Sequence, residues 1–306
     1  MGSSECIIKI ELTINIFKFH KRLIALAIIV GALPFIYCTG AYAREESSFV
    51  SSQQSESKWL DDYSKPVKLT YNAQAKVQAA YLWRGLYCGA FNTQGNANIG
   101  YGGLYFDVWW NAGVTDWTFK TFLPEVDITL GFDRWGLNVF VYYVHNFNCG
   151  FFDFTNYPDK GNRLEADIRY TLSSKIPLSI LWGTRIAAAD SYLNAAGDTI
   201  RAYSSYAEIS YTQKFPKDWS LSGAVGITPW RSFYTGFQRD FAVCNVELRL
   251  RKDWTISPHC GMMVQGQLCI NPSALAADKS TAVWKPSNPF NQSVNANLTF
   301  GVYLIQ

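Results

Sequence analysis

Apolar and polar residues alternate along twelve stretches of this chain. The stretch from Ser293 to Gln306 shows the pattern most plainly. Val294, Ala296, Leu298, Phe300, Val302 and Leu304 fall on one face, and Asn295, Asn297, Thr299 and Tyr303 fall on the other. A β-strand turns successive side chains to opposite faces, so each such stretch predicts one apolar wall and one polar wall. The pattern predicts strands over 74–84, 95–101, 104–112, 124–132, 135–146, 163–172, 176–187, 201–214, 218–229, 241–252, 256–270 and 293–305. In the first, Ala75, Val77, Ala79, Tyr81 and Trp83 fall on the apolar face and Lys76, Gln78 and Arg84 on the polar one.

The links between these stretches are alternately short and long. Gly102-Gly103 joins two alternating runs directly, a two-residue hairpin signal because such turns need positive φ. Other short links are read at Asp133-Arg134, Ser173-Ser174-Lys175, Phe215-Pro216-Lys217 and Lys252-Asp253-Trp254. The long links cover 85–94, 113–123, 147–162, 188–200, 230–240 and 271–292. An even number of strands of roughly ten residues, with short turns at one end and long loops at the other, is the signature of an outer-membrane barrel. The predicted fold is therefore all-β, an antiparallel transmembrane β-barrel of about twelve strands, with ten to fourteen as the range that boundary placement allows. A soluble β-sandwich is the competing architecture; its inward faces would be apolar and its loops need not alternate in length.

Composition narrows the picture. Hydrophobic residues make up 48% of the 306 and mean hydropathy is −0.05, which excludes a bundle of membrane helices. Aromatic residues reach 16%, with 18 Tyr and 11 Trp, as barrels need at their two interfaces. Lys18, Lys21 and Arg22 precede an apolar run from Leu23 to Tyr37, and Ala41-Tyr42-Ala43 offers a small-x-small cleavage site, so residues 1–43 read as a signal peptide. The apolar run of about 15 residues falls short of the ~20 that a spanning helix needs. A lipidated Cys38 is the alternative, poorly served by Ile36-Tyr37 before it. Residues 44–72 are polar and Ser-rich and read as a flexible periplasmic lead-in, leaving 73–306 for the barrel.

Residues 1–43 carry four basic residues (Lys9, Lys18, Lys21, Arg22) and two acidic ones (Glu5, Glu11), so their removal lowers the net charge from +3 to +1. No basic field remains to hold nucleic acid. Five cysteines stay: Cys88, Cys149, Cys244, Cys260 and Cys269. None forms a CxxC pair, so a zinc site is not expected; no cofactor or other metal is expected either. Cys88 and Cys149 fall in predicted external loops, where they either pair in an oxidising compartment or stand as two free thiols.

Tyr81-Leu82-Trp83-Arg84-Gly85 resembles the opening signature of the TorF-type porin family. Tyr105 through Asn111, Pro124-Glu125-Val126-Asp127 with Gly131-Phe132, Tyr142-Tyr143 and Arg163-Leu164-Glu165 follow in that family's order. Ala79-Ala80 stands where an Asp commonly precedes the Tyr, and Leu86-Tyr87-Cys88 replaces the usual polar run, so the likeness is that of a distant member. It implies an outer-membrane barrel of a Gram-negative cell.

Following the strands in register gives each charge a depth. Arg84, Glu125, Asp127, Glu165, Asp167 and Arg185 fall at the external end with their side chains toward the lumen, the candidate constriction. Lys76, Asp107, Glu247, Arg249 and Arg251 fall lower. Such charges either line a water-filled constriction and select solutes, or pair across a narrow lumen and close it, or merely satisfy a polar interior. The expected function is passive diffusion of small polar solutes through a monomeric barrel held in outer-membrane lipid. The alternative is a non-conducting structural or adhesive barrel acting through loops such as 147–162 and 271–292, where Trp284, Pro286, Asn288 and Pro289 stiffen the chain. An enzyme is not expected: His145 is the imaginable base of a lipid hydrolase, but no Ser follows it within two residues and no Gly-x-Ser-x-Gly elbow contains one.

Overall fold

The computed structural model describes residues 68–304, apart from 115–116, 120–121, 148, 155–161, 174, 189 and 276–293. Residues 1–67, which hold the segments read as signal peptide and lead-in, and most of the last long loop lie outside the described residues.

Twelve antiparallel strands close into one barrel. In chain order they are β1 (Leu69–Gln78), β4 (Asn92–Tyr101), β5 (Leu104–Val114), β6 (Phe122–Arg134), β7 (Leu137–Asn146), β8 (Arg163–Thr171), β9 (Leu178–Ala187), β12 (Ser205–Phe215), β13 (Trp219–Thr228), β14 (Ala242–Ser257), β15 (Cys260–Ile270) and β16 (Val294–Leu304). Closure is made by β16 pairing with β1, which leaves no edge strand exposed. Two short hairpins stand apart from the wall: β2 (Tyr81–Trp83) with β3 (Leu86–Gly89), and β10 (Ser191–Leu193) with β11 (Thr199–Arg201).

The period-two pattern decides which wall each residue joins. Along β16, Asn295, Asn297 and Thr299 are buried in the lumen while Val294, Leu298, Phe300 and Val302 are exposed outside. Leu130, Val141, Ile168, Ile180, Ile209, Val225, Leu250 and Leu268 continue the apolar outer belt around the barrel. Tyr101, Trp135, Tyr170, Phe215, Trp219 and Trp254 are exposed near the short-turn end, and Phe91, Phe122, Trp230 and Phe241 near the long-loop end. An apolar belt between two aromatic girdles suits hydrocarbon flanked by two headgroup layers, and no aqueous solvent would favour it.

Two short links and one strand sit elsewhere than their sequence pattern suggests. The β6–β7 turn is Trp135-Gly136, both at positive φ (56° and 77°), two residues beyond Asp133-Arg134. Lys252-Asp253-Trp254 lies within β14, which runs on to Ser257 and turns at Pro258-His259. β1 starts at Leu69, inside the stretch read as lead-in, and ends at Gln78. Gly102-Gly103 makes the β4–β5 turn as expected, at φ 64° and 96°.

Candidate functional site inside the barrel

The predicted first strand contained one large error, and the site is built on it. Tyr81 and Trp83 do not face lipid. After Gln78 the chain leaves the wall, turns inward and makes the β2–β3 hairpin, with Tyr81, Leu82, Trp83 and Leu86 all buried. The departure is anchored by two bonds: the Ala79 amide donates to the Leu298 carbonyl (3.0 Å) and the Ala80 amide to Asn297 Oδ1 (2.9 Å). Gln78 Nε2 donates to Asn92 Oδ1 (3.2 Å), clasping the two ends of the segment where it enters and leaves the wall.

At the hairpin tip, Arg84 and Gly85 both have positive φ (46° and 84°), the pair of left-handed residues that a tight two-residue turn requires. Gly85 presses against the backbone of Cys244 on β14, and a β-carbon there would run into the Cys244 carbonyl. Asn271 Nδ2 donates to the Gly85 carbonyl at 3.2 Å, holding the tip from the start of the last long loop.

The tip carries Arg84 to the centre of the predicted constriction. One guanidinium nitrogen donates to Glu165 and to the Tyr234 hydroxyl (2.7 Å), and the other donates to Asp167 (2.5 Å). The guanidinium carbon lies 4.9 Å from the Trp83 ring centre and 4.7 Å from that of Tyr206. Tyr234 comes from a 3₁₀ turn, Phe233–Thr235, in the loop after β13 that also folds into the barrel. Arg185 lies over the Phe233 ring at 3.8 Å and 3.7 Å from Glu165 Oε2, while Arg163 lies over Trp83 at 4.8 Å and 3.9 Å from Glu125.

The residues predicted for the constriction lie together, buried and joined by ion pairs. Arg84, Glu125, Asp127, Glu165, Asp167 and Arg185 are all buried at 5% exposure or less. Around them Tyr81, Trp83, Leu86, Trp109, Leu181, Tyr206, Phe233, Tyr234 and Cys244 form an apolar cluster inside the barrel. The cross-strand register explains the convergence: Glu165 of β8 is opposite Arg185 of β9, and Asp167 is opposite Gly183. Gly183 leaves the space that the Asp167 carboxylate fills beside Arg84, since a β-carbon there would collide with that carboxylate and stand 3.2 Å from the Arg84 guanidinium nitrogen.

The rest of the lumen wall carries a polar network. Asn297 Nδ2 donates to Gln78 Oε1 (3.1 Å) and Gln267 Oε1 (3.3 Å), and Gln267 Nε2 donates to Glu247 (3.0 Å). Arg249 pairs with Glu247, Arg251 with Asp253 (2.5 Å), and Asn96 donates to Asp107 (3.1 Å). Lys76 belongs elsewhere than expected: with β1 ending at Gln78, it stands two residues from the long-loop end of its strand, opposite Gln94.

Three contributors escaped the sequence reading: Arg163, Tyr206 and Tyr234. Arg163 was visible only as part of a family resemblance, and the tyrosines carried no charge to mark them. His145 points outward near the long-loop end, its Nδ1 3.1 Å from Asn162 Oδ1 and 3.3 Å from the Tyr143 hydroxyl, among the rings of Phe147 and Phe151. Cys88 and Cys149 are unbridged, Cys88 on the inward hairpin and Cys149 beside Asn162 in the loop after β7. Among the described residues no three His, Cys, Asp or Glu side chains converge as metal ligands.

No protein-family model matches the chain, and neither does any curated protein sequence. Among solved structures it is similar to the NanC porin, with 11% identity and a TM-score of 0.43 over 78% of this chain and 100% of that one. An outer membrane channel from Pseudomonas putida F1 gives 11% identity and a TM-score of 0.41 over 79% and 97%. An anion-selective porin from Comamonas acidovorans gives 9% and 0.30 over 78% and 99%. The TorF-type likeness rests on the residues quoted for it alone.

Proposed function

We propose that this chain is an outer-membrane barrel that passes small polar solutes through a lumen closed at rest by the β2–β3 hairpin, with Arg84 as its latch. The observation that carries this reading is that the hairpin forms a sheet of its own, separate from the barrel ladder. β2 and β3 pair only with each other, so the segment can withdraw without breaking any rung of the barrel ladder. Its docking is also incompletely satisfied. The Tyr81 hydroxyl and the Trp83 indole N–H are buried and make no hydrogen bond among the described residues. Each such group costs about 1–3 kcal/mol, which favours states in which water reaches the hairpin. With the hairpin out, the polar faces of the strands line the passage, and a barrel of twelve strands lies between filled and openly water-filled sizes.

A second reading is supported by the same ion pairs. A cluster of buried charges joined by ion pairs suits a permanently closed structural barrel that works through its outer loops. Osmotic swelling of liposomes containing the refolded mature chain separates the two. Slow entry of a small polar sugar with the wild type and fast entry with Arg84→Ala are expected of a latched passage. Equal impermeability of the two favours the structural barrel.

A further inference from the structure

We propose that the cage around Arg84 is a binding site for solutes bearing a guanidinium group, occupied in the closed barrel by the chain's own side chain. This rests on the reading of the barrel as a latched passage and names the class of solute the latch imitates.

The cage is built for a planar, forked cation. Two guanidinium nitrogens reach two carboxylates, Glu165 and Asp167, which stand two residues apart on one face of β8, and the Tyr234 hydroxyl takes a further bond. The Tyr206 ring lies beside the guanidinium plane at 4.7 Å, and Gly183 supplies the room for the Asp167 carboxylate beside it. An ammonium is a compact point charge that reaches both carboxylates from a single nitrogen and has no plane to stack; a guanidinium offers a separate nitrogen to each and a flat face to the ring.

The cage also survives the departure of its occupant. Glu165, Asp167, Gly183 and Tyr206 belong to barrel strands and Tyr234 to a different loop, so only Trp83 leaves with the hairpin. With Arg84 in place, three arginines (Arg84, Arg163, Arg185) face four carboxylates (Glu125, Asp127, Glu165, Asp167). With it withdrawn, two arginines face the same four, and the net charge of the constriction goes from −1 to −2. A ring of that sign favours cations over anions and neutral solutes. A guanidinium solute replaces the lost contacts like for like, and by competing with Arg84 it favours the open state.

The test uses methylguanidinium, with methylammonium at equal concentration as the control. On refolded Arg84→Ala barrel in detergent, methylguanidinium is expected to raise the thermal unfolding midpoint, methylammonium is not, and Asp167→Asn added to the variant abolishes the effect. In planar bilayers methylguanidinium is expected to block Arg84→Ala current at a concentration about tenfold below methylammonium. It is also expected to increase the opening frequency of the wild type. Arg84→Asn, whose short side chain empties the cage and tolerates the positive φ of this turn position, takes the place of Arg84→Ala if the latter does not refold. Equal effects of the two cations in stability and in current overturn the proposal, even if the variant conducts and the passage stands. A variant that is electrically silent yet selectively stabilised by methylguanidinium keeps the site and removes the passage.

Discussion

The Arg84 guanidinium donates to Asp167 at 2.5 Å, although Arg84 sits on a hairpin that shares no backbone pairing with the strand carrying Asp167. Both side chains are buried, at 3% and 0% exposure, so each depends on the other for compensation. Removing one partner of such a pair costs about 3–5 kcal/mol, largely because the other charge is left buried alone. Asp167→Ala and Arg84→Ala should each lower the unfolding free energy by that order. The double variant should lose clearly less than the sum, as measured by urea unfolding in detergent or lipid. Strict additivity would mean that the two groups do not act as a pair.

Gly85 is where the latch meets the wall. Its φ of 84° and its contact with the Cys244 carbonyl leave no room for a side chain. Gly85→Ala should displace the hairpin tip at a cost of about 1–3 kcal/mol. Trypsin is the convenient reporter, because the Arg84–Gly85 bond is buried in the wild type. Faster cleavage there in the variant, with the barrel otherwise intact on a gel, is the expected outcome; unchanged resistance would contradict the tight docking.

The two walls of β16 predict opposite sensitivities. Leu298 is exposed outside, and Leu298→Arg should destabilise folding into bilayers by about 2–4 kcal/mol if it sits near the midplane of the apolar belt. Asn297 bridges Gln78 and Gln267 within the lumen. Asn297→Leu strands those amides and should cost about 1–3 kcal/mol. A harmless Leu298→Arg would remove the case for a lipid-facing belt.

Much of this fold was legible in the sequence because β-structure writes its two faces in period two. All twelve wall strands and the alternation of loop lengths were readable in that way. So was the convergence of Glu125, Asp127, Glu165, Asp167 and Arg185, since register alone sets their depth. The hairpin was hidden because Tyr81-Leu82-Trp83 continues the alternation of β1, and Ala79-Ala80 contains no breaker. The available signal was a dipeptide ending in glycine, Arg84-Gly85, between two aromatic runs, which is hairpin grammar. Lys252-Asp253-Trp254 misled for the opposite reason. A polar cluster near a lumen mouth has the composition of a turn while remaining strand.

The cysteines offer a check on the interior. All five described cysteines are unbridged, and Cys244 and Cys269 are buried. Burial first and the Asp153 charge second raise the Cys149 thiol above its ordinary range, so it should alkylate slowly even though its loop lies outside the wall. Maleimide labelling of unreduced, unfolded mature chain should add five labels. Three labels would reveal a bridge and a different loop arrangement.

The central claim is that the hairpin closes a passage which Arg84 latches. Single-channel recording of the refolded mature chain in planar bilayers tests it most directly, comparing the wild type with Arg84→Ala. The account predicts a wild type that is closed most of the time with brief steps, and a variant with frequent, cation-selective steps. A wild type that conducts continuously, or a folded variant as silent as the wild type, would contradict it.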